Sequence, residues 1–175
     1  MTHDYEELYN TKMGCDTIIN VGDKEFQAHK TILMARSPVL AAMFYHDMIE
    51  KKENKISIPD ITPETFEKVL KYIYTDEITD LDADAERLLE AADKYQLQSL
   101  KEMCQESLSG TLTVDNALKI MTLADRHSAK DLLEFTIDYM ASKIKDIIVT
   151  EDFQVLEKSN VTEVFGLIKK LSSHK

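Results

Sequence analysis

An α+β fold is predicted, with a small β-sheet flanked by helices and followed by C-terminal helical hairpins. Three observations predict it. A β-branched run, Asp16 to Val21, and an alternating run, Lys24 to Ala28, face each other across Gly22-Asp23, which is the pattern of a hairpin. Two helices announce their starts with a hydroxyl residue followed by proline, Ser37-Pro38 and Thr62-Pro63. From Ala92 onward the chain repeats itself at an offset of 32 residues, in units that read as helix, tight break and helix.

The elements follow in order. Met1 to Lys12 reads as a short helix with Tyr5, Leu8 and Tyr9 on one face, which either finds nothing of its own chain to pack on or folds onto its own core. After the hairpin, Ile32 to Ala35 form a short apolar helical turn. Ser37 then caps a second helix, with Pro38 first and Val39, Leu40, Met43 and Phe44 at helical spacing. His46-Asp47-Met48-Ile49-Glu50 and the charged tract Lys51 to Lys55 read as a loop before the strand Ile56-Ser57-Ile58. Thr62, Pro63 and Glu64 open a helix that carries Phe66, Val69, Leu70, Ile73 and Tyr74. Ile78 to Leu81 reads as a short extended piece, and Asp82 to Tyr95 as a helix with Leu88, Leu89 and Ala92 inward.

The repeat sets Ala92-Asp93-Lys94-Tyr95, with Leu100, Glu102 and Met103, against Ala124-Asp125-Arg126-His127, with Leu132, Glu134 and Phe135. Two copies are too few for a free-standing array, so the second is expected to stack on the first. Thr113 is placed to cap the helix of Ala117, Leu118, Met121, Leu123 and Ala124. The expected division is an N-terminal helix at 1–14, a domain at 15–110 and appended helices at 111–175. The last of these carry Phe153, Val155, Leu156, Val161, Val164, Phe165 and Ile168.

Composition narrows the function classes. At 175 residues and 43% hydrophobic, the chain is long enough to bury a real core. A net charge of −11 argues against a nucleic-acid surface, which needs clustered Lys and Arg. The apolar runs fall far short of the roughly 20 residues of a membrane helix, and Met1 to Gly14 lacks a signal core. Cys15 and Cys104 show no CxxC pattern and suit a reducing compartment without a disulfide. The five histidines are dispersed, so His29 is read as a satisfied core histidine rather than a metal ligand. Asp80, Asp82 and Asp84 read as N-terminal helix charges, and no GxSxG, P-loop or HExxH is present. A binding module without cofactor, metal or catalysis is expected.

Phe26-Gln27-Ala28-His29-Lys30, Arg36-Ser37-Pro38-Val39-Leu40-Ala41-Ala42-Met43-Phe44 and Val69-Leu70-Lys71-Tyr72-Ile73-Tyr74-Thr75-Asp76 resemble the centre and end of a BTB/POZ domain. Leu89 to Tyr95, Met103 to Leu108 and Leu123 to Ala129 extend the likeness to the speckle-type POZ protein (MATH-BTB) family, with its three-box and shortened BACK helices. The resemblance implies that the first helix crosses to a second subunit, so that Tyr5, Leu8, Tyr9 and Ile32 hold a homodimer. It implies a buried structural ion pair between Asp16 and Lys30. Met48-Ile49-Glu50 matches the hydrophobic, any residue, Glu order with which such domains dock cullin-3, and Phe44 and Tyr45 join that set. Phe165 falls where relatives use an aromatic residue for a second self-association, which would build assemblies beyond the dimer.

The resemblance thus implies an adaptor of a cullin-3 RING ubiquitin ligase, nuclear or cytoplasmic, binding neither nucleic acid nor membrane. In one departure, only 14 residues precede Cys15, where the relatives carry a substrate-holding MATH domain. The chain is therefore either a fragment or a protein whose substrate arrives through a separate recognition domain. A transcriptional co-repressor module, a Skp1-like linker and a self-associating scaffold are the rival readings.

Overall fold

The computed structural model describes residues 2–50, 54–159 and 166; within these, side chains are described for 4–45, 54–155 and 166. In chain order the elements are α1 (Thr2–Thr11), β1 (Thr17–Val21), β2 (Lys24–Ala28), α2 (Lys30–Arg36), α3 (Pro38–Glu50), β3 (Lys55–Ile58), α4 (Pro63–Thr75), α5 (Leu81–Lys94), α6 (Gln98–Gly110), α7 (Ala117–Arg126), α8 (Lys130–Ser142), α9 (Ile144–Ile147) and α10 (Glu151–Ser159). The chain divides into two compact units, Met1–Cys104 and Gln105–Lys175.

In the first unit the strands form one sheet in the order β2-β1-β3. The hairpin pairs β1 and β2 antiparallel, from Thr17 opposite Ala28 to Val21 opposite Lys24. Gly22 turns the chain there at φ 58°, and a Cβ at this position would lie 3.4 Å from the Pro63 ring. β3 returns parallel to β1, with Ile19 opposite Ile56 and Val21 opposite Ile58. A parallel return needs a crossover, which α2 and α3 supply. Thr17, Ile19 and Val21 alternate into the core with Ile18 and Asn20 half-buried, as a period-two strand requires. Beneath them Phe26 meets Phe66 edge-on at 5.2 Å, and Phe66 meets Tyr95 at 6.4 Å.

Local chemistry sets the helix starts. The Ser37 hydroxyl accepts from the Leu40 amide at 3.2 Å and donates to the Tyr95 carbonyl at 2.7 Å, so one buried group caps α3 and ties it to the end of α5. Thr62 accepts from the Thr65 amide at 3.3 Å, with Pro63 in the first turn of α4. Asp76 closes α4 in the left-handed region at φ 58° and pairs with Arg36.

Two expectations change and one open alternative is settled. Residues 78–80 form an irregular connection, and Leu81 already opens α5, because the short run lacks a neighbouring strand to pair with. His46 to Glu50 are not loop; they continue α3 through Glu50, in helical phase with the buried face that precedes them. α1 does have a partner in its own chain: it packs on α4, with the Tyr9 and Tyr74 rings 5.5 Å apart.

The 32-residue repeat is legible bond by bond. After α5 the amides of Tyr95 and Leu97 donate to the carbonyls of Ala91 and Ala92, around Gln96 at φ 54°. After α7 the amides of His127 and Ala129 donate to Leu123 and Ala124, around Ser128 at φ 51°. Both are helix ends closed by a left-handed residue, here without glycine. In the second unit Ala117, Leu118, Met121, Ile137, Met140, Ile147 and Phe153 form the core. Thr113 and Asn116 bond reciprocally, at 2.7 and 3.3 Å, so Thr113 closes the turn that leads into α7 rather than its first helical turn.

Candidate functional site

The end of α3 and its return into β3 form the first candidate surface. Leu40 and Phe44 turn inward, and Phe44 is 1% exposed. That corrects the expectation for Phe44. Its ring belongs to the core and has no outward face to offer, because the helical stripe that carries it is the buried one. Tyr45, one position on, is 58% exposed. Met48 and Ile49 stand at i+3 and i+4 from Tyr45 and share its helical face by register. The side chains of Met48, Ile49 and Glu50 lie outside the described residues.

Asn54 anchors the chain where it re-enters. Its carbonyl accepts from the Ile18 amide and the Thr17 hydroxyl, each at 2.9 Å, and its side-chain oxygen accepts from the Lys30 ammonium. Sequence reading placed Asn54 in a solvated charged tract and missed this role. The signal was an amide residue among charged neighbours just before an apolar strand, which charge patterning alone does not distinguish.

The expected buried ion pair between Asp16 and Lys30 is also corrected. Asp16 is exposed, and its carboxylate accepts from the backbone amide of Lys30 at 2.8 Å. It therefore satisfies one of the orphan donors that open α2, where negative charge is favoured by the helix dipole. The Lys30 ammonium turns instead to Asn54 and lies 5.7 Å from the Phe44 ring centre.

A second surface surrounds α1. His29 is half-buried with both ring nitrogens engaged: Nε2 lies 2.9 Å from the Met13 carbonyl and Nδ1 2.8 Å from the Tyr74 hydroxyl. In the neutral ring Nε2 must donate to that carbonyl, so Nδ1 accepts from Tyr74. The Tyr74 oxygen in turn accepts from the His29 backbone amide at 2.9 Å. The Cys15 sulfur sits 3.9 Å from both nitrogens, and their bonding directions are already committed, so the ring does not act as a base toward the thiol. Burial raises the pKa of the Cys15 thiol, which opposes thiolate formation. Burial pushes Tyr74 up to about 12 and likewise raises Tyr9, with Glu67 adding to the latter.

Beside this cluster Tyr5, Ile32, Ile73, Tyr74 and Asp76 line an open hollow of about 250 Å³. Tyr5 is 42% exposed, whereas Leu8 and Tyr9 are half-buried. Of the four expected dimer residues, Tyr5 and Ile32 thus share one hollow, and Tyr9 turns onto Tyr74. Phe165 lies outside the described residues. Among the described residues no helix is long and apolar enough to cross a membrane, and no three His, Cys, Asp or Glu side chains group as metal ligands.

The first unit thus combines a small crossover-bearing sheet with α3, which leads back to the strand beside β1, and a helical extension follows it. The BTB/POZ domain family matches residues 5–112, and the chain belongs to that family. A second family, BTB And C-terminal Kelch (BACK), matches residues 117–167. Among solved structures the chain is similar to the BTB domain of zebrafish PATZ1. The two are 28% identical at a TM-score of 0.52, over 62% of this chain and 93% of that one. Domains of these two families are generally non-catalytic interaction modules, and BTB domains self-associate and bind partners such as cullin-3.

Proposed function

We propose that this chain is a dimeric BTB adaptor of a cullin-3 RING ubiquitin ligase, allied to the speckle-type POZ proteins and acting in the nucleus or cytoplasm. The observation that carries the reading is the exposed Tyr45 on α3, with Met48 and Ile49 at the register positions that extend its face and Glu50 ending the helix. Methionine is a flexible apolar knob suited to a groove between partner helices, and a glutamate fixes orientation through charge-assisted bonds. Asn54, bonded to β1 and Lys30, holds the far side of this surface at the start of β3. The ubiquitin chemistry occurs on the recruited enzyme, and the substrate arrives through a recognition domain separate from residues 1–175. Two subunits then present two catalytic arms to one substrate, raising its effective concentration.

Calorimetric titration with the cullin-3 N-terminal domain tests this. Binding of one cullin per subunit is expected, weakened at least about tenfold in Tyr45→Ala, Met48→Asp and Glu50→Ala while the dimer mass persists. A folded dimer that does not bind, or that binds equally well with all three substitutions, overturns the adaptor reading. The self-associating scaffold would then stand first, on the Tyr5 and Ile32 hollow.

A further inference from the structure

We infer that Lys30 is a positioning residue for the docking surface, holding the start of β3 and the last turns of α3 in register through Asn54 and Phe44. This rests on the adaptor reading and adds to it a residue outside the docking set. Three donors converge on Asn54: the Ile18 amide and the Thr17 hydroxyl, each 2.9 Å from its carbonyl oxygen, and the Lys30 ammonium at its side-chain oxygen. The Ile18 bond belongs to the parallel pairing of β1 with β3 and would by itself continue the sheet. Thr17, 3% exposed, takes up the carbonyl's second lone pair, and Lys30 adds a third bond to a residue that is itself exposed. The start of β3 is therefore held more firmly than strand pairing requires.

The same ammonium reaches α3. It lies 5.7 Å from the Phe44 ring centre, within the range at which a cation is drawn to an aromatic face. Phe44 is buried, and Tyr45, the exposed residue of the docking surface, follows it directly on the helix. The base of the Lys30 side chain is fixed as well, because its backbone amide donates to the Asp16 carboxylate at 2.8 Å where α2 begins. One half-buried side chain thus touches both the helix that ends at Glu50 and the residue before the strand that begins at Lys55. A hydrogen bond to an exposed amide competes with water and adds little to unfolding stability. What it supplies is geometry: a surface already ordered before the partner arrives loses less conformational freedom on binding.

Calorimetric titration of the full chain with the cullin-3 N-terminal domain, with a thermal melt of each variant alongside, tests the inference. Lys30→Met and Asn54→Leu are each expected to weaken binding about three- to tenfold while the melting midpoint stays close to that of the unsubstituted chain. Lys30→Arg keeps the charge and a donor, and is expected to restore affinity. The double variant Lys30→Met/Asn54→Leu is expected to lose no more than Lys30→Met alone, because both changes break the same bond. A double loss equal to the product of the two single losses would mean that each side chain touches the cullin independently, and overturns the inference. So does a loss that Lys30→Arg does not restore, or one that appears only where the melting midpoint falls with it. The adaptor reading fails separately: if the unsubstituted chain does not bind, that reading falls and this inference with it. If the chain binds, weakens with Tyr45→Ala and keeps its affinity in both Lys30→Met and Asn54→Leu, the inference alone falls.

Discussion

Tyr74 holds two turns of the fold with one hydroxyl, accepting the His29 amide while donating to the His29 ring, and its ring carries Tyr9 of α1. Tyr74→Phe leaves the His29 amide and Nδ1 without that partner, and a lost buried hydrogen-bond partner costs roughly 1–3 kcal/mol. Urea unfolding at neutral pH is expected to show that loss. Alkaline pH probes the same group. Burial raises its folded pKa to about 12 from 10.0, so between those values the unfolded chain releases the proton first and stability falls as pH rises. The contribution is intact below pH 10, and the fall through that window should be smaller in Tyr74→Phe than in the unsubstituted chain. Sequence reading recognised His29 as satisfied, because no partner ligands stood at metal or triad spacing. It mispaired Asp16 with Lys30, because charge signs do not say whether a carboxylate meets an ammonium or a backbone amide. It counted Phe44 in the cullin-docking set, although the helical spacing with Leu40 places its ring inward, where it is 1% exposed.

At the scale of elements, the features written in neighbouring residues were the legible ones. Ser37-Pro38 and Thr62-Pro63 cap α3 and α4 as their order implies, since a cap needs only residues three apart. The end of α3 was illegible, because the polar run after Phe44 resembles a loop unless the helical phase is followed through it. Partners distant in sequence were illegible too: the Ser37 bond to Tyr95 spans 58 positions. Ser37→Ala therefore loses a cap and leaves a buried carbonyl unpaired, and a fall of about 1–3 kcal/mol is expected in chemical denaturation. The repeat makes a paired prediction. Gln96 and Ser128 both hold φ above 50°, a conformation that costs an L-residue about 1–2 kcal/mol. Glycine removes that strain but adds freedom to the unfolded chain, so Gln96→Gly and Ser128→Gly should each stabilise by up to about 1 kcal/mol. Thermal melts showing gains of similar size at the two sites would support the equivalence of the two breaks; opposite signs would refute it.

For the whole molecule the governing quantity is the charge of −11, which every copy brings to a self-association. Two such chains repel at long range, whereas the hollow that gathers Tyr5, Ile32 and Tyr74 offers apolar contact that salt does not weaken. Ion pairs of this unit, such as Lys24 with Glu64 at 3.4 Å and Lys55 with Glu25 at 3.7 Å, lie within one chain and are exposed, so they add little to pairing. Repulsion then sets the salt dependence. Raising sodium chloride from about 0.05 to 0.5 M shortens the Debye length from roughly 14 to 4 Å and removes most of the repulsion while leaving apolar contact in place. The homodimer is expected to tighten about three- to tenfold over that range in sedimentation equilibrium, and Ile32→Asp to weaken it at every salt concentration. A dimer that loosens with salt would instead be held by ion pairs between copies, and the surface around Tyr5 and Ile32 would not be its centre.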